Sequence, residues 1–329
     1  MNARREHLFQ LGLRHVSLVL FAVVLAAFSL LSPNFLTGPN LLNILVQSSS
    51  TAIVAVGMTF VLLTAGVDLS VGAIMFVGAA VAGKMVLGGV PLGLALAAML
   101  GIGLACGTIN AFLITRLRLI AFIVTLATLY LGRGFALWLT ETRAMNLPAS
   151  FLALGTDRLL EVPVPVWIMA TVLALAHLVL GRTPFGRHIY AVGQDLEGAR
   201  KAGIRVSAIL ASVYVISGFC AALGGILALA QLGSVSPTFG TNKEFAAIAA
   251  AVLGGTSLFG GRGRVFPGTV LGAVLIQSVE NGLVIINANP YLYPLITSAI
   301  IFVAVLTDSL RDALLARLRR RKIRVEEAD

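Results

Sequence analysis

Charge is scarce in this chain. Asp, Glu, Lys and Arg make up 12 % of its 329 residues while 58 % are hydrophobic, and the mean hydropathy is +0.96. Soluble globular domains carry about 25 % charged residues, so a water-soluble fold is excluded. Cysteine is nearly absent as well: Cys106 and Cys220 lie far apart in apolar runs and read as small core residues, not as a disulfide framework or thiolate cluster. The four histidines, His7, His15, His177 and His188, show no metal-ligand spacing, and no Ser/His/Asp grouping stands out. Gly78 to Met85, GAAVAGKM, imitates a phosphate-binding loop, but Met85 stands where Ser or Thr must hold Mg²⁺ and no strand precedes it. No catalytic residue, metal or cofactor is therefore expected. The net charge of +10 does not point to nucleic acid either, because the basic residues sit between apolar runs and at the two ends.

What the chain has in abundance is long apolar runs. Their lack of alternation excludes a β-barrel, and in lipid a helix satisfies every backbone N–H and C=O within its own segment. Windows of about 20 apolar residues predict an all-α integral membrane protein of about ten transmembrane helices, near 16–31, 41–65, 69–87, 91–114, 119–140, 164–181, 207–230, 244–259, 265–287 and 291–308. Arg4, Arg5 and Arg14 before the first run suggest a signal peptide, but no small-residue cleavage site follows, so Val16 to Leu31 is read as an uncleaved helix. With the N-terminus cytoplasmic, 19 of the 24 Lys and Arg residues fall inside, which places both termini in the cytoplasm. The expected organisation is a cytoplasmic segment 1–15, a transmembrane domain 16–308 with a cytoplasmic loop 182–206, and a basic cytoplasmic tail 309–329. Residues 141–163 are too polar to span and are expected to cap the outer mouth. The spacings Gly89-x-x-x-Gly93, Gly103-x-x-x-Gly107 and Gly268-x-x-x-Gly272 suit close helix packing.

Polar residues inside apolar runs are the best probe of function. Of the 14 acidic residues only Glu280 falls well inside a run, and it shares a helical face with Gln277 and Asn281. Gln47, Ser48, Ser49 and Thr51 form a second patch, and Asn110 and Thr125 are further in-span candidates. Hydroxyl and amide groups of this kind suit an uncharged polar solute such as a sugar, and they serve equally to hold helices together. Asp68, with Ser70, is placed to cap the helix that follows by accepting its free N–H groups. In the loop 182–206 a short helix is predicted from Gln194 to Ala202. Asp195 and Glu197 lie at its start, Arg200 and Lys201 at its end, and Gly203 stands beyond as a left-handed cap. Such an element suits docking to a partner, or lying solvated at the interface.

Four stretches, GMTFVLLTAGVDLSVGA from Gly57, FIVTLATLYLGRG from Phe122, FGRHIYAVGQDLEGARKAGIRV from Phe185 and AIAAAVLGGTSLFGGRGRVFPGTVLGA from Ala247, resemble the ribose-type permease subunits of bacterial ATP-binding-cassette importers. The similarity runs from about Ser32 to Asp308. It implies an inner-membrane homodimer or paired heterodimer of permeases, two cytoplasmic ATPases, and an external binding protein that delivers the solute. It also implies that Glu197-Gly198-Ala199-x-x-x-Gly203 corresponds to the E-A-A-x-x-x-G signature that docks into the ATPase, with Gln194, Asp195 and Arg200 beside it. Phe122, which opens the second stretch, joins the candidates for the translocation path. The chain departs from the family at Gly198 in place of the first Ala of the signature, at Ala121 where Pro is common, and at Lys243 where an uncharged residue is usual. The function expected is passage of a monosaccharide or related polar solute, driven by a separate ATPase. An ion-coupled secondary transporter, or a permease for nucleosides, branched-chain amino acids or a signalling sugar, is the alternative.

Overall fold

The structure is a computed structural model, described for residues 16–293 and for 295, 296, 298, 299, 302 and 306. The predicted segment 1–15, most of the predicted span 291–308 and the tail 309–329 lie outside the described residues. Two compact units divide the chain: residues 1–37 with 278–329, and residues 38–277.

Twelve α-helices occur among the described residues. They are α1 (Val16–Leu31), α2 (Gly38–Leu63), α3 (Val71–Leu87), α4 (Leu92–Thr115), α5 (Ala121–Thr140), α6 (Ala149–Thr156), α7 (Val164–Arg182), α8 (Pro184–Gln194), α9 (Leu196–Lys201), α10 (Val206–Leu232), α11 (Lys243–Leu253) and α12 (Val270–Ile285). A π-turn, Val265–Thr269, precedes α12 and holds the cis Phe266–Pro267 peptide. The protein is a predominantly helical membrane protein, and among the described residues six helices are long and apolar enough to cross a bilayer: α2, α4, α5, α7, α10, and α12 with its leading turn.

Within the larger unit, α2 and α10 form the centre, with 83 % and 78 % of their apolar windows buried against 22 %, 17 % and 28 % for α4, α5 and α7. They run antiparallel. The Ser50 hydroxyl donates to Gly224 O at 2.7 Å, and Gly57, seven residues on, lies against Ser217, seven residues earlier on α10. Glycine makes this closeness possible, because a Cβ at Gly57 would stand 2.8 Å from Cys220 Cβ. The pair Gly103 and Gly107 brings α4 onto Gly218 and Tyr214 of α10, and Gly268 and Gly272 bring α12 onto Gly254 and Ala250. Gly89 and Gly93 meet nothing within 4 Å.

Helix α11 is shorter than the apolar run predicted for it. The run 244–259 holds α11, which at 11 residues is about 16 Å long against a hydrocarbon core of about 30 Å, and which stops at Gly254 and Gly255. Gly240, two residues before the α11 N-cap Asn242, packs backbone to backbone on Gly72 in the first turn of α3. The adjoining loop is level with Ser217, about 16 Å along α10 from Val206 at 1.5 Å per residue, because Asp68 accepts the Ser217 hydroxyl at 2.7 Å. Both chain breaks therefore lie partway along the central helices. A non-helical backbone is tolerated there only where protein satisfies it.

The segment 141–163 folds across the C-terminal end of α10. A two-residue strand β1 (Met145–Asn146) pairs antiparallel with β4 (Ser234–Val235), and β2 (Arg158–Leu159) with β3 (Val162–Pro163). Between them α6 lays Gly155 against the Ala230 carbonyl. In the smaller unit, Gly282 of α12 packs on the ring of Phe28 of α1, which tilts against Phe35 at a centroid distance of 5.3 Å.

Candidate functional site

The stretch of α2 from Asn43 to Thr51 gathers polar groups around it. Its Gln47 carbonyl accepts from the Gln277 amide of α12 at 2.7 Å and its own amide donates to Asn43 at 3.1 Å. Half a turn on, the Gln231 amide of α10 donates to Val46 O at 2.8 Å and Ser49 Oγ at 3.2 Å, and the Lys243 ammonium donates to Thr51 Oγ1 at 3.2 Å. Gln47, Ser49 and Thr51 thus each meet a polar partner from another element, Gln277, Gln231 and Lys243 respectively, which sets an array of polar groups around this stretch of α2. Ser48 and Ser49 turn their hydroxyls back to Leu45 O and Val46 O, at 3.0 and 2.6 Å, which satisfies them within their own helix. Farther along, Thr59 and Thr269 share a hydrogen bond of 2.8 Å. The array can exchange hydrogen bonds with a neutral hydroxylated solute, and it offers no nucleophile paired with a base.

Asn110 and Thr125 belong elsewhere. Asp68 is fully buried; one carboxylate oxygen accepts from the Ser217 hydroxyl and the other from Ser70, through N–H at 2.9 Å and Oγ at 2.5 Å. The Ser70 hydroxyl in turn accepts from the Asn110 amide at 2.9 Å, and Asn110 Oδ1 accepts from Thr128 at 2.6 Å. The chain links α10, the α2–α3 break, α4 and α5, and each member is satisfied by another. Ser70 is the N-cap of α3, but its side chain makes no cap bond, and Asp68 accepts the Ser70 N–H instead of the first free N–H groups of the helix. Thr125 donates to Ala121 O at 3.0 Å, and Phe122 is 52 % exposed on the outer side of α5. Glu280 and Asn281 lie one turn beyond Gln277, in the smaller unit, half-buried and buried.

The loop 182–206 forms two helices where one was predicted. Thr183 caps α8 by accepting Gly186 N–H at 3.1 Å, and α8 runs to Gln194, which ends it instead of starting the next. Asp195 is the N-cap of α9 and accepts the Glu197 N–H at 3.1 Å. Glu197 pairs with Arg200 at 2.7 Å, three residues on. The helix stops at Gly203, whose φ of +81° permits Gly203 N–H to reach Arg200 O and Ile204 N–H to reach Ala199 O, a Schellman cap. Ala199 is the residue of this short helix that is buried, while Glu197, Gly198 and Arg200 are open or nearly so.

Helix α8 is fastened at a joint to the glycine loop that follows α11. The Tyr190 hydroxyl donates to Gly263 O at 2.9 Å, and Gly261 N–H donates to Leu63 O, the last residue of α2, at 2.9 Å. Gly193 lies between these partners; a Cβ there would overlap Leu63 O and stand 2.6 Å from Gly261 N. Burial raises the Tyr190 phenol above its ordinary value, offset in part by Arg264, so it stays a protonated donor.

Sequence reasoning passed over Gln231, Glu244, Arg133, Tyr190 and Gly193. Glu244 is 5 % exposed, and its Oε2 has no hydrogen-bond partner among the described residues; it sits where a Cβ on Gly72 would be 2.5 Å away. Nearby, Arg133 donates to Thr241 Oγ1 at 2.8 Å and lies 5.7 Å from the Phe76 ring centroid. The predicted run 244–259 hid Glu244 by placing it at a membrane surface. The dense glycines of 254–263 are the signal from which a loop could have been read there instead of the end of a span.

The family whose profile matches residues 40–305 is described as the branched-chain amino acid transport system, permease component. The ribose import permease protein RbsC of Haemophilus influenzae is 40 % identical over 309 residues, covering 92 % of this chain and 95 % of its own. RbsC of Escherichia coli K12 is 42 % identical, covering 89 % and 92 %, and the D-allose transport system permease protein AlsC of the same organism is 38 % identical, covering 88 % and 90 %. No solved structure matches. Helices fit to cross a bilayer, a polar array on the central helix and a family match over most of the chain agree: this chain belongs to the permease components of that transport family, and is a transport subunit, not an enzyme.

Proposed function

We propose that the chain is the permease subunit of an ATP-binding-cassette importer of the bacterial inner membrane. It passes a monosaccharide along the array of Gln47, Ser49, Thr51, Gln231 and Gln277. The observation that carries the reading is the joint of α8. A loop that presents α9 on one side is hydrogen-bonded on the other, through Tyr190, to Gly263 of the glycine loop, and Gly261 of that same loop is bonded to the end of α2, the helix that holds the polar array. Movement of α9 by a partner is thereby delivered to the path. The polarity of the array favours a neutral polyol over a branched-chain amino acid, whose apolar side chain would gain nothing from amides and hydroxyls. Ribose and D-allose, named for the relatives, are polyols of this kind.

In this reading the loop 182–206 and both termini face the cytoplasm, which the placement of 19 of 24 basic residues supports. The ten predicted helices include α3 and α11, which enter the bilayer without crossing it unaided. Two ATPases dock on Gln194 to Gly203 of two permease copies, and an external binding protein meets the end covered by 141–163. Asp68, Ser70, Asn110 and Thr125 hold the helices about the break, while Glu280 and Asn281 extend the polar face of α12. Transport needs only that the solute and nucleotide favour different states of the bundle.

The test is reconstitution in proteoliposomes with the cognate ATPase and binding protein. Ribose uptake should require ATP and persist when proton and sodium gradients are collapsed, in wild type and in Glu280→Gln. Gradient-driven uptake by the chain alone would replace this reading with a secondary transporter.

A further inference from the structure

The cleft between the α4–α5 turn and the start of α10 takes no part in the joint. It has a volume of about 580 Å³, and Thr115, Arg116, Arg118, Arg200, Arg205 and Ser207 line it without any carboxylate. Arg200 is held by Glu197 at 2.7 Å, whereas Arg116, Arg118 and Arg205 make no ion pair with a carboxylate among the described residues. The N-terminus of α10 opens into the same space: Val206 to Ala208 form part of the wall, and the N-cap Arg205 makes no side-chain cap bond. The positive end of a 27-residue helix therefore adds to three guanidiniums that have no carboxylate partner among the described residues.

A second feature adjoins the first. Leu117, Leu119, Ile120 and Ile123, on either side of Arg118 and in the first turn of α5, are exposed, Ile120 by 66 %. An anion site bordered by an exposed apolar strip matches an amphiphile. A free phosphate would leave the strip unused, and an acidic protein face would leave it in water.

We propose that this cleft binds the headgroup phosphate of an anionic phospholipid, with an acyl chain lying along Leu119, Ile120 and Ile123. The inference rests on the orientation proposed above, which puts the cleft at the inner leaflet. Arginine forks match phosphate oxygens, and basic pockets between helices at this surface are suited to lipid headgroups. The bound lipid would stand beside α9 through Arg200, next to the element that meets the ATPase.

The experiment is native mass spectrometry of the purified full-length chain titrated with phosphatidylglycerol and, separately, with phosphatidylcholine. Wild type should bind phosphatidylglycerol selectively. Removing an arginine should weaken it about fivefold, and Arg116→Gln with Arg118→Gln and Arg205→Gln together roughly a hundredfold, with phosphatidylcholine unchanged. The triple Lys replacement retains the charge and should keep most of the selectivity, which separates loss of the site from loss of the fold. Ile120→Ser should weaken long-chain but not dihexanoyl phosphatidylglycerol. Equal binding of both lipids by wild type, unchanged binding in the triple Gln variant, or full displacement by millimolar inorganic phosphate would overturn the proposal. So would loss of ATPase co-purification in the triple Gln variant with lipid binding intact, which would assign the arginines to the ATPase. Reporter fusions at residues 150 and 329 test the orientation separately: opposite sides with no lipid selectivity sink this inference alone.

Discussion

Replacing Gly193 by Ala should uncouple the permease without unfolding it. The added Cβ overlaps Leu63 O and falls 2.6 Å from Gly261 N, and both are backbone atoms that cannot swing aside as a side-chain end would. Relief requires α8 to withdraw from Leu63 and Gly261, which stretches the 2.9 Å bond from Tyr190 to Gly263 O. Overpacking costs about 1–3 kcal/mol and an unsatisfied buried group about 1–3 kcal/mol more. The joint thus loses about 2–6 kcal/mol, which is more than tenfold in any equilibrium it biases. Insertion of the spans, driven by their apolar length, should be untouched. The assay compares ATP-dependent ribose uptake with the ATPase rate in proteoliposomes. Uptake should fall at least tenfold while the chain remains in the membrane and still binds the ATPase. Uptake within twofold of wild type would refute the idea that α8 transmits through this contact.

Four further outcomes follow from the same geometry. Asp68→Ala removes the acceptor of Ser217 and of Ser70 in a buried network and should lower the melting temperature in detergent by several degrees, whereas a polar surface control such as Arg143→Gln should not. Gln277→Leu deprives Gln47 of its donor and should reduce ribose uptake severalfold with ATPase binding preserved, so an unaffected uptake would remove Gln277 from the path. Thr183→Ala deletes the cap of α8 and should raise hydrogen exchange over 184–194 by about fivefold, equivalent to about 1 kcal/mol. The raised Tyr190 pKa stabilises the fold fully below the ordinary tyrosine value of about 10, and this contribution is lost as pH rises through the higher folded value. Melting temperature should therefore be flat with respect to this group at neutral pH, and its fall above pH about 10 should be smaller in Tyr190→Phe.

Much of this architecture is legible in the chain because lipid imposes one rule on backbone groups. Helices α2, α4, α5, α7 and α10 fall within a few residues of the apolar runs, and the end of α9 is announced by Gly203. The breaks are not legible. A window of hydropathy adds α11 to the glycine loop after it, since alanine, valine and glycine are equally apolar whether or not they are helical. What starts α11 and α3 is tertiary: Gly240 against Gly72, and Asp68 against Ser217. The start of α9 lies two residues past the predicted Gln194 for a local reason, because Asp195 acts as the cap and leaves Gln194 to end α8. For the polar array, residue type singled out Gln47 and Gln277 separately; that they meet is a fact of packing between helices 230 residues apart. Glu244 and Gln231 escaped notice because each lay near the edge of an apolar run, where polar residues are common.

The central claim is that a separate ATPase drives this permease through the segment from Gln194 to Gly203. Glu197 is exposed on α9, so Glu197→Cys offers a reporter there, with the native Cys106 and Cys220 within α4 and α10. The account predicts a cross-link from residue 197 to the ATPase subunit in the assembled transporter, with a yield that changes between nucleotide-free and ATP-bound states. Full ATP-dependent uptake together with no cross-link from 197 in either state would contradict it.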